Sequence, residues 1–317
     1  MADIIGTTGN DTLLGTTLAE VIFGYEGNDY IVHQDGDDTV YAGNGNDTVW
    51  AGESDGGADE IYGGAGNDVL GGGAGDDYIE GGSGSDTIFG GEGADVLYAG
   101  NASDFNTKND DASANTIWAG AGIDWVYGSA GNDVLGGGDD DDVIVGGLGN
   151  DTIYGGKGDD NGTDGTFTGL NGGAGNDLIY GGEGNDAVNG DDGNDELFGG
   201  IGDDTIVGGK GSDTIWGGEG TDELWGDDNN PLTADAVDTF GFIANSGNDI
   251  IKDFNVAVSD GINDLIDLSA LKLGTFDDLK IANDPVSGDA VITLSTGNTI
   301  TLENVDAGAL TADNFIL

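Results

Sequence analysis

Aspartate returns at a beat of nine residues through most of this 317-residue chain. It stands at Asp11, Asp29, Asp38, Asp47, Asp59, Asp68, Asp77, Asp86 and Asp95, then at Asp124, Asp133, Asp142, Asp151 and Asp160. A last run adds Asp177, Asp186, Asp195, Asp204, Asp213 and Asp222. Glu20 and Asn115 each take the place once. One aspartate in a Gly-Asn-Asp turn is ordinary turn chemistry, but a uniform array of them is a set of ligands in search of a cation. Stacked at the ~4.8 Å spacing of neighbouring strands, such carboxylates repel one another strongly unless a positive charge lies between them. Donors that are all carboxylate and carbonyl oxygen select a hard ion, and flexible loops offering six or more oxygens favour Ca²⁺ over Mg²⁺.

The elements that must hold these acids follow from the repeat itself, Gly-Gly-x-Gly-x-Asp-x-U-x with U aliphatic. Between Gly63 and Tyr98 it runs four times without a break. The first six residues read as a turn, where glycine supplies positive φ and lets backbones approach. The last three read as a very short strand that sends its eighth-place side chain inward (Leu13, Ile22, Ile31, Val40, Val49, Ile61, Leu70, Ile79, Ile88 and Leu97 in the first run) and its seventh and ninth outward. Such a strand has no stability alone, so it must stack on an identical strand two repeats later. Two repeats make one coil of about 18 residues, and the predicted fold is all-β: a parallel β-roll over residues 1–240. The beat is interrupted near 51–56, 99–114, 161–171 and 227–237.

The nonapeptide resembles the RTX (repeats-in-toxin) calcium-binding repeat. That resemblance implies a right-handed roll that folds when it meets extracellular Ca²⁺, with the sixth-place aspartates listed above as metal ligands and roughly one ion per repeat. Glu20, Asn115 and His33, which replaces the opening glycine of its repeat, depart from the pattern. Residues 241–317 change composition, and "SGNDIIKDFN" (246–255) and "DLIDLSAL" (264–271) resemble the region that closes such rolls. "DAVITLSTGNTITLENV" (289–305) predicts two strands joined as a hairpin at Thr296-Gly297-Asn298. The final "DAGALTADNFIL" resembles the uncleaved C-terminal signal of type I secretion substrates, so a β-rich cap and a secretion signal region are expected there.

Composition excludes several classes of function. Six lysines face 62 acidic residues with no arginine, a formal charge of −56, which repels nucleic acid and anionic membrane surfaces. No run approaches the ~18 apolar residues of a membrane span. There is no cysteine, the single histidine is His33 in a turn, and no His-Glu-x-x-His occurs, which removes thiol chemistry, Ser-His-Asp chemistry and most zinc chemistry. "GGKGDDNGTDG" (155–165) lacks the Gly-Lys-Ser/Thr of a phosphate loop. The chain therefore reads as a protein without enzymatic activity.

What remains is an outward aromatic set at the ninth place: Tyr41, Trp50, Tyr62, Phe89, Tyr98, Trp118, Tyr127, Tyr154, Tyr180, Phe198, Trp216 and Trp225, with Trp125 at a seventh. A longer echo links "WAGESDGGADEIYGGAGNDVLGGG" (50–73) to "WAGAGIDWVYGSAGNDVLGGG" (118–138). Aromatic residues on strands pack on ladder neighbours, and exposed apolar patches mark contact surfaces. The functional expectation is a secreted or cell-surface structural protein, exported by the type I machinery, that self-associates head-to-tail or laterally into a layer, matrix or filament. An uncapped first coil would favour such association. The alternative is a carbohydrate-binding module, similar to those attached to alginate-modifying enzymes, that meets cell-surface or matrix polysaccharide.

Overall fold

The structure, a computed structural model, describes residues 3–52, 55–102, 112–162, 169–227, 236–256, 263–294 and 297–317. The segments that interrupt the beat at 103–111, 163–168 and 228–235 lie outside the described residues, as does Thr296 of the expected hairpin turn. Two compact units divide the chain, residues 1–157 and 158–317.

In the first unit, alternate repeats feed two parallel sheets. One sheet takes Val21–Glu26, Thr39–Asn44, Glu60–Ala65, Tyr78–Ser83, Val96–Tyr98, Trp125–Ser129 and Val143–Leu148. The other takes Thr12–Leu14, Tyr30–Val32, Thr48–Trp50, Val69–Ala74, Thr87–Glu92, Thr116–Ala121, Val134–Asp139 and Thr152–Lys157. Register is set by the repeat: Ile61 lies opposite Ile79, and Leu70 opposite Ile88. Eighth-place residues from both sheets, including Ile22, Ile31, Ile79 and Ile88, are wholly buried and form the interior of a parallel β-roll. Strands of six residues rather than three are common because the Gly-Gly pair continues the ladder into the turn. The second and fourth places then need positive φ, as at Gly64 (103°) and Gly66 (133°), which glycine adopts without the steric penalty of a Cβ.

Interruptions do not disturb the two-sheet alternation. Val40 pairs with Ile61 across the three-residue insertion, and Ile88 pairs with Ile117 across the longer one. The strands on either side of each interruption stay in register, so the inward period survives.

The second unit uses the same plan. Leu170–Ala174, Ala187–Asp192, Thr205–Lys210, Glu223–Asp227 and Asn248–Ile251 make one parallel ladder. Leu178–Glu183, Glu196–Ile201, Thr214–Glu219, Thr239–Gly241 and Leu265–Asp267 make the other. Parallel pairing continues beyond residue 240, with Ile251 opposite Leu224 and Ile266 opposite Phe240. Thr299–Leu302 and Phe315–Ile316 extend the two ladders. The hairpin read from the alternating pattern is present: Ala290–Thr293 pairs antiparallel with Thr299–Leu302, and Lys280–Asn283 adds a third strand.

Candidate metal centres at the coil corners

Each sixth-place acid sits at the corner between turn and strand, and the corners of successive coils stack in two rows per unit. In the first unit one row runs Glu20, Asp38, Asp59, Asp77, Asp95, Asp124 and Asp142. The other runs Asp11, Asp29, Asp47, Asp68, Asp86, Asn115, Asp133 and Asp151. In the second unit the rows are Asp160, Asp186, Asp204, Asp222, Asp249 and Asp177, Asp195, Asp213, Asp238, Asp264. Every sequence-predicted ligand therefore lies in a row. Asp238, Asp249 and Asp264 are members that the beat alone did not supply.

One rule generates the rows. The backbone N–H of each sixth-place residue donates to Oδ1 of its counterpart one coil on: Asp29 to Asp47 at 2.7 Å, Asp59 to Asp77 at 2.9 Å, Asp195 to Asp213 at 2.8 Å. A second, exposed ladder runs the opposite way through the fifth place, where Asn46 N–H donates to Asn28 Oδ1 at 3.0 Å and Asn67 N–H to Asn46 Oδ1 at 2.9 Å. This is why Asn precedes Asp so often: the amide staples the outer edge while the carboxylate staples the inner one.

The inner staple uses only one carboxylate oxygen. Oδ2 of Asp29, Asp47, Asp68, Asp77, Asp95, Asp124, Asp195, Asp204, Asp213, Asp222 and Asp249 is buried without a hydrogen-bond partner. A buried carboxylate oxygen left in that state is costly unless a cation meets it. Backbone carbonyls converge on the same point. A Cβ built on Gly63 would stand 2.7 Å from Asp68 Oδ2 and 2.5 Å from the Gly81 carbonyl oxygen. On Gly208 it would stand 2.5 Å from both Asp213 Oδ2 and the Gly226 carbonyl. Alanine takes this first place in four corners, at Ala42, Ala51, Ala99 and Ala119. Oxygen-only donors of this kind, carboxylate plus carbonyl, suit Ca²⁺.

Burial drives the titration of these groups. It pushes Asp77, Asp204 and Asp213 up to about 8, and Asp68, Asp124, Asp195 and Asp249 up to about 7, against the opposing pull of the backbone N–H bond. Neighbouring aspartates in the row add to the rise. At Asp77, Asp204 and Asp213 burial without an ion therefore favours the protonated acid, and a bound cation favours the charged one.

The departures from the repeat are closed by other means. Where Thr or Ser replaces the second glycine, the second carboxylate oxygen is satisfied from within. Thr7 donates to Asp11 Oδ2 through its N–H (2.6 Å) and its hydroxyl (2.9 Å), and Ser129 does the same to Asp133 at 2.7 and 3.0 Å. Thr16 closes on Glu20 through its N–H (2.9 Å) and hydroxyl. At Asn115 the amide nitrogen stands in for the missing oxygen and donates to the Ser113 carbonyl at 3.0 Å. Sequence reasoning passed over Thr7, Thr16 and Ser129, although their signal is plain: a β-branched or hydroxyl residue where the repeat wants positive φ.

The outward aromatics form ladders of their own. Phe23, Tyr41 and Tyr62 stack at 5.3 and 5.0 Å between centroids, and Tyr98 stacks on Tyr127 at 4.6 Å. Glu80 occupies the ninth place between these groups, and Tyr78, from the seventh, bridges them at 6.0 and 5.9 Å. On the other sheet Trp50 reaches Phe89 across Gly71, and Trp118 reaches Tyr154 across Gly136. Gly71 is required there, since a Cβ would stand 2.5 Å from Trp50 Cε3. The 50–73 and 118–138 echo is thus a packing device, in which a Trp leans over the glycine of the next coil. Trp216 does likewise over Gly241, and Lys252 caps Trp225 at 5.6 Å.

Among solved structures, the chain is similar to the AlgE6R2 subunit of the Azotobacter vinelandii mannuronan C5-epimerase (23% identity, 48% of this chain and 93% of that one, TM-score 0.31). It is similar to the AlgE6R3 subunit of the same enzyme (24% identity, 57% and 80%, TM-score 0.23). It is also similar to the extracellular lipase LipA of Serratia marcescens (20% identity, 92% of this chain and 45% of that one, TM-score 0.29). No match is found among curated protein sequences. The RTX calcium-binding nonapeptide repeat matches residues 5–38, 23–56, 34–70, 53–79, 71–105, 111–144, 136–161, 170–197 and 198–231, more than half of the chain. With the repeat, the roll and the stacked acidic corners in agreement, the chain belongs to the RTX calcium-binding nonapeptide repeat family.

Proposed function

We propose that the chain is a secreted structural protein that folds on binding extracellular Ca²⁺ and joins copies of itself into a surface layer, matrix or filament. The observation that carries the calcium part is the row of buried, unpartnered Oδ2 atoms, each on an aspartate whose other oxygen is already fixed by the neighbouring coil. The residues that would hold Ca²⁺ are the sixth-place aspartates from Asp29 to Asp222, other than Asp133 and the corner beside His33, together with Asp238 and Asp249; Oδ2 of Asp264 is already met by the Asn255 N–H at 2.6 Å. Asp11 and Asp133 are satisfied by Thr7 and Ser129 and would hold none. An ion supplies positive charge between acids that burial would otherwise keep protonated. The chain's own part is to fix Oδ1, aim Oδ2 and exclude water.

Export through the type I machinery is supported by the family and by the resemblance of residues 306–317 to a type I secretion signal. An unfolded, calcium-free chain inside the cell and a folded one outside is the consequence of corners that close only around an ion. A structural role is supported by where the acids are used: they are bound into ladders at regular corners, not gathered into a cleft. Self-association is supported by the outward rings, with Tyr41, Trp50, Phe89, Trp118 and Tyr154 still 36–42% exposed after stacking on one another. Negative-stain electron microscopy of the full chain with calcium and with chelator tests this reading. Ordered assemblies that form only with calcium are expected; dispersed monomers under both conditions would contradict it.

A second reading, a carbohydrate-binding module, draws on Trp50 and Trp118, whose rings lean over glycine and remain exposed, a surface on which sugar rings stack. Binding to a glycan array that is lost in Trp50→Ala and Trp118→Ala would favour it over self-association.

A further inference from the structure

One corner departs from all the others in its chemistry. His33 takes the first place of its repeat, where every other repeat from Gly6 to Gly226 has Gly or Ala. Its side chain is completely buried, and its Nδ1 faces three carboxylate oxygens: Asp59 Oδ2 at 3.1 Å, Asp55 Oδ2 at 3.3 Å and Asp38 Oδ2 at 3.9 Å. Their side chains are at most 1% exposed, and none of these four atoms has a partner with hydrogen-bond alignment. Asp55 comes from the three-residue insertion, so the extra residues deliver a carboxylate to the one corner that has gained an imidazole.

The surroundings fix each group from behind. Nε2 lies 3.3 Å from the Gly71 carbonyl oxygen, which can only accept, so Nε2 carries the proton and Nδ1 of the neutral ring presents a lone pair to the carboxylates. Oδ1 of Asp59 accepts from Asp38 N–H at 2.7 Å, Oδ1 of Asp38 from Glu20 N–H at 2.7 Å, and Oδ1 of Asp55 from Gly57 N–H at 3.2 Å. Each ligand atom is thus backed by a hydrogen bond on its far side, the arrangement that orients the ligands of a metal site. A neutral ring turns the Nδ1 lone pair toward these carboxylate oxygens, a repulsion that either a proton on Nδ1 or a metal cation among them relieves. The separations from Nδ1 bracket the edge of about 3.3 Å of a tetrahedron with ~2.0 Å bonds, the size of a small divalent transition metal bound by nitrogen and oxygen. Among the described residues, His33, Asp38 and Asp59 are the one group of three His, Asp or Glu side chains whose ligand atoms lie close enough to share an ion, and Asp55 flanks them at 3.3 Å from Nδ1.

We propose that His33, Asp38, Asp55 and Asp59 form a distinct site for a divalent transition metal of zinc type, built into a corner whose neighbours take calcium. An imidazole nitrogen raises affinity for such ions and does nothing for Ca²⁺, which prefers oxygen. The site is formed from two successive coils and an insertion, so the ion is trapped as the roll closes and bridges residues 33–59.

The test is to unfold the full chain in chelator and refold it in saturating Ca²⁺ with one equivalent of Co²⁺, then to dialyse against calcium. One Co²⁺ per chain, with a visible ligand-field spectrum of mixed nitrogen and oxygen ligation that Zn²⁺ abolishes, is expected. His33→Gly restores the repeat, so that variant is expected to fold, lose the Co²⁺ spectrum and keep no transition metal. Asp55→Asn, at an insertion residue outside the repeat, is expected to weaken Co²⁺ at least tenfold. Calcium-saturated wild type that retains no more Co²⁺ than His33→Gly would overturn the proposal and leave His33 as an internal imidazolium among the acids. Calcium-dependent folding is read separately by circular dichroism of the metal-free samples, so failure there is distinguishable from failure here.

Discussion

The N–H of Asp59 donates to Oδ1 of Asp77 at 2.9 Å, and Oδ2 of the same Asp77 is buried without a partner. That division of one carboxylate into a structural oxygen and a ligand oxygen repeats along both rows of each unit, and it makes the corners sensitive to single substitutions. Asp77→Asn keeps an Oδ1 for Asp59 while replacing the ligand oxygen by an amide donor, as Asn115 does naturally. At least a tenfold loss of calcium affinity at that corner is expected, about 1.4 kcal/mol or more. Isothermal titration of the variant should show fewer high-affinity ions than wild type; an unchanged count would contradict the assignment.

Corners closed by hydroxyl residues should behave in the opposite way. Ser129 supplies two hydrogen bonds to Asp133 Oδ2. Ser129→Gly removes the hydroxyl bond and lets residue 129 take the positive φ of the repeat's second glycine, which turns its N–H away from Oδ2, so a gain of one bound calcium by atomic emission analysis is expected. The same metal content in both proteins would show that the hydroxyl is not what excludes the ion.

Gly71→Ala tests the aromatic packing. Gly71 has no positive φ, so alanine carries no backbone penalty there, yet its Cβ would meet the Trp50 ring. Trp50 must lift off the sheet, with a cost of about 1–3 kcal/mol from overpacking and a change in its stacking on Phe89. Thermal denaturation and tryptophan fluorescence of the calcium-loaded variant would reveal both; a neutral substitution would mean that Trp50 does not rest on Gly71 in solution.

The pH dependence should reverse sign with calcium. Without the ion, burial raises Asp77, Asp204 and Asp213 to about 8 and Asp68, Asp124 and Asp195 to about 7, against an unfolded value near 4. The folded state then holds more protons than the unfolded one between about pH 4 and 8. Its stability is fully retained near pH 4 and falls as pH rises through that window. With calcium, ions and protons compete for the same oxygens, so affinity rises over the upper half of the window. Chelated chain that gains strand signal on acidification from pH 8 to about pH 5, while calcium affinity drops over the same change, is the expected pair of results. Parallel trends would contradict it.

Much of this was legible in the sequence because a nine-residue repeat fixes both the inward period and the corner. Asp68 with Leu70 and Asp77 with Ile79 already say which side chain lies at the corner and which in the core, and each falls there in the fold. Insertions hid the rest. Leu170 lies opposite Val188, and Asp160 N–H meets Asp186 one coil on, so the two belong to one repeat although ten positions separate them in the sequence. Asp238, Asp249 and Asp264 are spaced by insertions that break the beat, and only the hydrogen bonds from Asp213, Asp222 and Asp238 place them in the rows. His33 is legible in the sequence only as a departure from the repeat, because nothing in a linear repeat shows that Asp55, from an insertion, will return to face it. The ninth-place aromatics were read as outward, and they are, but their stacking on one another across Gly71 and Gly136 is a property of coils two apart that the sequence carried only as an unexplained echo.

The central claim is that the roll exists only when cations occupy its corners. Far-ultraviolet circular dichroism of the full chain near pH 7.5, first with excess chelator and then with calcium added back, tests it most directly. The expected result is a disordered spectrum that converts cooperatively to β-strand as calcium is added, with Mg²⁺ at the same concentration failing to do so. A strand spectrum of full strength in chelator, unchanged by calcium, would contradict it.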